Sequence, residues 1–274
     1  MKTFVEFFAG VGLIREGLSN SNWKCILAND ISSDKKEIYV ENFGDNDFWL
    51  GDIWDIVENP NIIPNDAFLY TASFPCTDLS VAGNQAGLAG KQSGTLNALI
   101  EILNDKKKLN AAPKVVLLEN VKGFLTSNKG KDIEKTIQSF SELDYFIDII
   151  ELDAINFSAQ SRPRVFLIAI QEDLAKHTMR IKNSDQVLDS WWSDFNRVPT
   201  LRSNKIKNLI LNNEGFNWGL LNLAFPEKSS LRLANIIDND ISDDSDLWWN
   251  EERKEHLYEQ MSESHKLDLH KMLQ

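Results

Sequence analysis

Cysteine is scarce in this chain, and so is histidine. Cys25 and Cys76 are the two thiols in 274 residues. Two thiols this far apart offer no disulfide framework and no zinc-ligand spacing. The four histidines, His177, His256, His265 and His270, form no HExxH or comparable pattern. No resident metal is therefore expected. Long apolar runs are also missing, so no membrane span is expected. The N-terminus enters a strand-like run at Met1-Lys2-Thr3-Phe4 without a signal-peptide pattern, which points to a cytoplasmic protein. Cationic residues are in deficit: 29 Lys and Arg face 41 Asp and Glu, for a formal charge of -12. Alone, this argues against a nucleic-acid binder, because neutralising phosphate needs Lys and Arg. A net charge still leaves a local basic face open.

The remaining composition, 42% hydrophobic and 26% charged, is that of a globular chain. Its length suits one large domain, or one domain with an appendage. One stretch organises the rest. In Leu69-Tyr70-Thr71-Ala72-Ser73-Phe74-Pro75-Cys76, an apolar run ends at a proline and a cysteine follows. A strand running into a Pro-fixed loop carries its next side chain to the sheet's carboxyl edge, where open α/β sheets keep their ligands. A thiol there can act as a nucleophile. Taken singly, it reads first as a small buried hydrophobe, and the rest of the chain has to overturn that reading.

Thr3 to Phe8 is a short strand-forming run, Ala9-Gly10-Val11-Gly12 a tight turn, and Leu13 to Leu18 a helix start. Strand, glycine turn and helix open a nucleotide-binding α/β unit, where glycines let backbone approach a ligand. The third glycine of the dinucleotide fingerprint is absent, which lowers the case for NAD or FAD. A second strand, Trp23 to Asn29, ends in Asp30-Ile31. Asp30 suits either ribose hydroxyls or a helix cap. Cys25 lies within that strand and reads as core. At Asp52-Ile53, the acid could accept from an adenine amino group while the isoleucine packs on the ring; a solvated loop acid is the alternative.

Residues 81–94, after Ser80, are rich in glycine and small side chains and read as a mobile loop beside the thiol. Gly94-Thr95-Leu96 opens a helix, with Asp105 to Lys108 as its solvated end. Pro113 to Leu118 looks like the most buried strand, and it ends in Glu119-Asn120-Val121. A carboxylate at the mouth of such a strand is expected to be desolvated and to hold a proton near neutrality; taken alone, Glu119 reads equally as a helix N-terminal acid. Ile133 to Leu143 reads as a helix. Tyr145 to Leu152 and Val165 to Ile170 read as strands, joined by a loop containing Gln160, Arg162 and Arg164. Two guanidinium groups there suit phosphate or carbonyl oxygens, with ordinary solvent-exposed charge as the alternative.

Together, in order, these blocks resemble the C5-cytosine DNA methyltransferases. The resemblance covers roughly residues 3 to 170 and continues weakly through Leu231 to Ile237. It implies an α/β fold: a Rossmann-like sheet dependent on S-adenosylmethionine, with helices on both faces and a mainly helical C-terminal extension. It makes 1–170 the catalytic domain and 171–274 an extension. Phe7-Phe8-Ala9-Gly10-Val11-Gly12 resembles the first cofactor motif. Asp30 with Ile31, and Asp52 with Ile53, resemble the ribose and adenine contacts. Phe74-Pro75-Cys76 resembles the nucleophile motif, Glu119-Asn120-Val121 the acid motif, and Gln160-x-Arg162-x-Arg164 the arginine motif. Ser80, Asn120, Val121 and Gln160 are then the substrate-facing positions.

The implied chemistry is addition of Cys76 to cytosine C6, with Glu119 at N3. Arg164 holds the cytosine O2 and the acid, and Arg162 the loop or the nucleophile region. The base must leave the duplex for this. Leu13 and Thr77 depart from the family's usual glycine and glutamine. A target-recognition region and the last two family blocks are not found in the sequence. These departures suggest a split enzyme, or a shortened chain, in which a second polypeptide recognises double-stranded DNA. Trp191-Trp192, Trp218 and Trp248-Trp249 are read as the core of a small subdomain or as a partner surface. An RNA cytosine methyltransferase, a silent regulatory homologue and a nicotinamide-dependent oxidoreductase are the competing readings.

Overall fold

Apolar runs punctuated by glycine, asparagine and proline set an alternation of strands and helices. The computed structural model describes residues 1–75, 94–182, 188–242 and 244–272. The elements begin β1 (Lys2–Phe7), α1 (Leu13–Ser19), β2 (Trp23–Asp30), α2 (Ser33–Phe43), β3 (Phe48–Leu50), α3 (Ile53–Glu58) and β4 (Leu69–Ala72). After them come α4 (Thr95–Lys108), β5 (Val115–Val121), α5 (Lys131–Glu142), β6 (Tyr145–Asp153) and β7 (Pro163–Gln171). The last are α6 (Glu172–Thr178), β8 (Met179–Ile181), α7 (Leu188–Phe195), α8 (Asn204–Asn212), β9 (Gly219–Leu221), α9 (Glu251–Gln260) and α10 (Glu263–Met272). No helix among the described residues is long and apolar enough to cross a membrane.

Seven strands form one sheet in the order β3-β2-β1-β4-β5-β7-β6. The first five run parallel, whereas β7 is antiparallel to both β5 and β6. One edge of the sheet therefore gathers the carboxyl ends of β1 to β5, the end of β6 and the start of β7. Alternation along β1 feeds both faces. Val5 and Phe7 enter the larger core with Leu99 and Ile137, while Phe4 packs with Cys25, Ala28 and Tyr39. This is the α/β sheet, helices on both faces, that the sequence implies.

Two expectations need correction. The strand at 113–118 is not the most buried one: β5 alternates half-buried and buried residues, whereas all four residues of β4 are buried. β4 lies between β1 and β5 with helices over both faces. The α4 terminus is not all solvated either. Lys106 is buried, and its Nζ donates to the carbonyls of Ile63 (2.6 Å) and Pro60 (3.3 Å) and to Asn65 Oδ1 (2.7 Å). The chain forms two compact units, Met1–Ser230 and Leu231–Gln274. Trp191, Phe195, Ile206 and Trp218 share the main core with β1 and β4. β8 and β9 form a two-stranded antiparallel sheet within this mainly helical part of the chain.

The Arg202 guanidinium fastens this later segment to the sheet. It donates from Nε to Asp148 Oδ1 (3.1 Å) and from Nη2 to Asp148 Oδ2 (2.5 Å), and both side chains are buried.

Candidate active site at the carboxyl edge of the sheet

The turn after β1 is built from unusual backbone. Phe8, Gly10 and Gly12 have φ of 55°, 58° and 85°. Such angles are easy for glycine and rare for phenylalanine. A Cβ at Gly12 would stand 2.4 Å from the Phe43 ring and 2.9 Å from the Tyr39 ring, so glycine is required there. Gly12 caps α1 without a side chain. The buried Glu6 carboxyl of β1 feels the backbone N–H groups of Arg15 and Ile14 in the first turn of α1, which favour its charged form. Burial pushes the Glu6 carboxyl up to about 7, against the pull of those donors and of the Arg15 guanidinium. Its Oε2 is buried with no hydrogen-bond partner among the described residues. The sequence reading passed over Glu6. An acid inside an otherwise apolar strand was the available signal.

Asp30 closes the turn from β2. Its Oδ2 accepts from the Gly10 N–H (2.9 Å) and its Oδ1 from the Ser32 N–H (3.0 Å). Ser32, not Asp30, is the cap of α2. Lys35 Nζ stands 3.4 Å from Asp30 Oδ2. Asp52 caps α3 and accepts from the Trp54 N–H (3.1 Å). Both acids line one cavity of about 420 Å³, together with Phe8, Ile31, Ile53 and Pro75. Six of the expected cofactor positions thus meet in one place. Asn29, Lys35, Gly51, Ser73 and Thr95 line it as well. Of these, Asn29 is buried and donates to the carbonyls of Gly51 (2.9 Å) and Trp49 (3.3 Å), which ties β2 to the end of β3.

Other expected cofactor residues do not reach the cavity wall. Phe7 is buried edge-to-face against Tyr70 at 5.4 Å, and Phe74 likewise against Phe124 at 5.4 Å. Both are core residues that fix the strands behind the wall. Ala9 is buried under α2 in the smaller cluster. Gly10, Val11 and Gly12 shape the turn rather than line the cavity.

Across the edge, β5 and β7 bring the acid and the arginine together. Val121 is opposite Arg164 in the ladder, and Glu119 opposite Phe166. Glu119 and Arg164 therefore project on one face, two residues apart. The Arg164 Nε stands 2.6 Å from Glu119 Oε1, with the two side chains 19% and 23% exposed. Glu119 is part-exposed and ion-paired to Arg164, rather than the fully desolvated carboxyl expected at the strand mouth.

Asn120 also departs from expectation. It is buried, donates to the Phe74 carbonyl (3.1 Å) and accepts from the Val121 N–H (2.8 Å). Both ends of its amide are engaged by protein, so it anchors the Phe74-Pro75 turn instead of facing a substrate. Gln160 and Arg162 lie on the exposed hairpin between β6 and β7. Asp153 organises that hairpin, accepting from the N–H groups of Ile155 and Arg162 and from the Ser161 hydroxyl. Cys76 and Ser80 lie outside the described residues, as does the loop expected at 81–94 up to Gly94.

The family model described as C-5 cytosine-specific DNA methylase matches residues 2–268. The type II methyltransferase M.HhaI of Haemophilus parahaemolyticus is 32% identical over 172 residues, covering 62% of this chain and 50% of that protein. M.BsuFI of Bacillus subtilis is 33% identical over 173 residues, covering 63% and 40%. The chain thus spans half or less of the length of these relatives. The crystal structure of S. pombe Dnmt2 methyltransferase superposes with a TM-score of 0.50 at 21% identity, over 70% of this chain and 55% of that one. That likeness is one of fold.

Proposed function

This chain belongs to the C-5 cytosine-specific DNA methylases, and from that premise we propose that it methylates C5 of a flipped-out cytosine in DNA. The donor is S-adenosylmethionine, and the setting is a restriction-modification methyltransferase. The observation that carries this reading is the Glu119–Arg164 pair, on the same sheet edge as the cavity holding Asp30, Asp52 and Pro75.

That cavity fits the donor. Its volume lies in the range of small-molecule sites. Two carboxylates can accept from hydroxyl and amino groups, and Phe8, Ile31, Ile53 and Pro75 offer apolar walls. Asp30 would hold the ribose, Asp52 and Ile53 the adenine. S-adenosylmethionine supplies, when bound, an electrophilic methyl group.

The remaining chemistry belongs to the chain's own residues. Pro75 leads directly into Cys76, whose thiolate adds to cytosine C6. Glu119 gives a proton or a strong hydrogen bond at N3, which turns C6 into an electrophile. Arg164 holds the carboxyl in place and reaches the cytosine O2. Addition at C6 leaves C5 electron-rich, so that C5 would take the donor's methyl group as its sulfur–methyl bond breaks and S-adenosylhomocysteine leaves. Loss of the C5 proton and of the thiolate then restores the ring.

Recognition is assigned to a second polypeptide, in keeping with a formal charge of -12. The test is transfer from labelled S-adenosylmethionine to mixed-sequence duplex DNA, by the chain alone and with the product of the neighbouring gene. Transfer only with the second protein supports the divided enzyme; sequence-specific transfer by the chain alone rejects it. Preference for tRNA over duplex DNA in competition would make this an RNA enzyme. Cys76→Ala is expected to abolish turnover and covalent trapping on 5-fluorocytosine DNA while leaving cofactor binding nearly intact. Loss of both functions together would make Cys76 a core residue.

A further inference from the structure

Leu231–Gln274 forms a compact unit of its own, and none of its described residues is buried. Helices are held in proteins mainly by burying an apolar stripe. Here the apolar side chains stand open: Leu247 is 74% exposed, Leu267 61% and Trp248 52%. A groove of about 490 Å³ is lined by the apolar Trp249, Leu257, Tyr258, Met261 and Leu269, with Glu255, Glu259 and the Glu251-paired Lys254 at its charged rim. The Arg253 guanidinium lies 4.1 Å from the centre of the Trp249 ring.

The charges around the groove narrow its occupant. The unit holds eleven acidic and five basic residues. Its lysines are committed, as Lys254 pairs with Glu251, Lys266 with Glu263 and Lys271 with Asp268. Glu252, Glu255 and Glu259 make no ion pair among the described residues, and their spacing places them along one face of α9. Phosphate would meet like charge there. So would a second copy of this acidic chain. A segment with its own apolar stripe, flanked by Lys or Arg at matching spacing, would satisfy both the groove and the glutamates.

We propose that the groove along α9 is a docking site for an amphipathic, Lys/Arg-rich helix of a partner protein. The proposal goes beyond the methyl-transfer reading and does not depend on it. Its further consequence, that such a partner brings the cationic surface a duplex needs, does rest on that reading.

The test is calorimetric titration of the full chain with three helical probes: a Leu/Lys peptide, its Leu/Glu counterpart and its Ser/Lys counterpart. The Leu/Lys peptide should bind at least about tenfold more tightly than either control, and Trp249→Ala should weaken it by about the same factor. The double variant Glu255→Lys with Glu259→Lys should reverse the charge preference, since both residues are on the surface and the fold can be checked by circular dichroism. Equal binding of Leu/Lys and Leu/Glu peptides would overturn the proposal. So would Leu/Lys binding unaffected by either variant. A concentration-dependent dimer abolished by Trp249→Ala would overturn it too, assigning the groove to a second copy. The readout is binding, so failure of methyl transfer leaves this test intact.

Discussion

Where β5 ends and β7 begins, a carboxylate meets a guanidinium at 2.6 Å. The pair is part-exposed, so its worth lies in orientation rather than stability. Glu119→Gln keeps the shape and removes the proton. It is expected to lower the methyl-transfer rate about 10²- to 10⁴-fold with unchanged cofactor affinity, as measured by single-turnover transfer and calorimetry. A rate within threefold of the parent (roughly 0.6 kcal/mol) would remove Glu119 from the chemistry. Glu6 makes a different prediction. Its carboxyl rises from 4.5 to about 7 on folding, so the native state keeps a proton that the unfolded chain has released. Stability should fall as pH rises from about 4.5 to about 7 and level off above, by about 3 kcal/mol in all. Glu6→Gln should erase that slope, seen as the difference between the two proteins in urea unfolding at the two ends of the window. Identical slopes would mean that Glu6 ionises freely. At this scale, Asp30, Asp52 and Glu119 were legible because each stands at or just past a strand end, whereas the link from Glu119 to Arg164 came from the family resemblance alone. Asn120 was not. Polar residues at a sheet edge look alike in sequence, and only the fold shows that the Asn120 amide is spent on Phe74 and Val121.

Among the elements, strand, glycine turn and helix could be read directly, since Gly10 and Gly12 mark a backbone that few residues adopt. Lys106 misled for a physical reason. A run of charges at a helix end looks solvated, yet one of them turns inward to three oxygens. The limit of the first unit was hidden for another reason. The sequence offers no recognised motif in residues 171–230, but their tryptophans complete the sheet's core. The Asp148–Arg202 pair carries a prediction about that attachment. Removing one partner leaves a buried charge uncompensated, so Arg202→Leu should cost about 3–5 kcal/mol in denaturant unfolding. Replacing both, as Asp148→Leu with Arg202→Leu, should recover much of that loss. A double variant as unstable as the single one would show that the Leu221 contacts, not the charges, matter; the Leu221 N–H donates to Asp148 and its carbonyl accepts from Arg202.

At the scale of the whole molecule, apolar burial and negative charge are distributed unevenly. Every buried hydrophobic residue among those described lies at or before Leu220. The second unit carries eleven of the 41 acidic residues on 44 positions and buries none of its described side chains. A large core stabilises the first unit by burial, at roughly 25 cal/mol per Å² of apolar surface. A chain ended at Ser230 keeps all of that core. It should therefore melt within a few degrees of the full chain and bind S-adenosylmethionine with similar affinity, by thermal denaturation and calorimetry. It should also bind the Leu/Lys peptide at least about tenfold less tightly, because the groove is gone. Large loss of thermal stability on truncation would mean that the second unit is part of the first unit's fold rather than a surface for another protein. Retained stability with lost peptide binding would separate the two jobs within one acidic chain: the sheet edge holds the chemistry, and the exposed helices hold the partner.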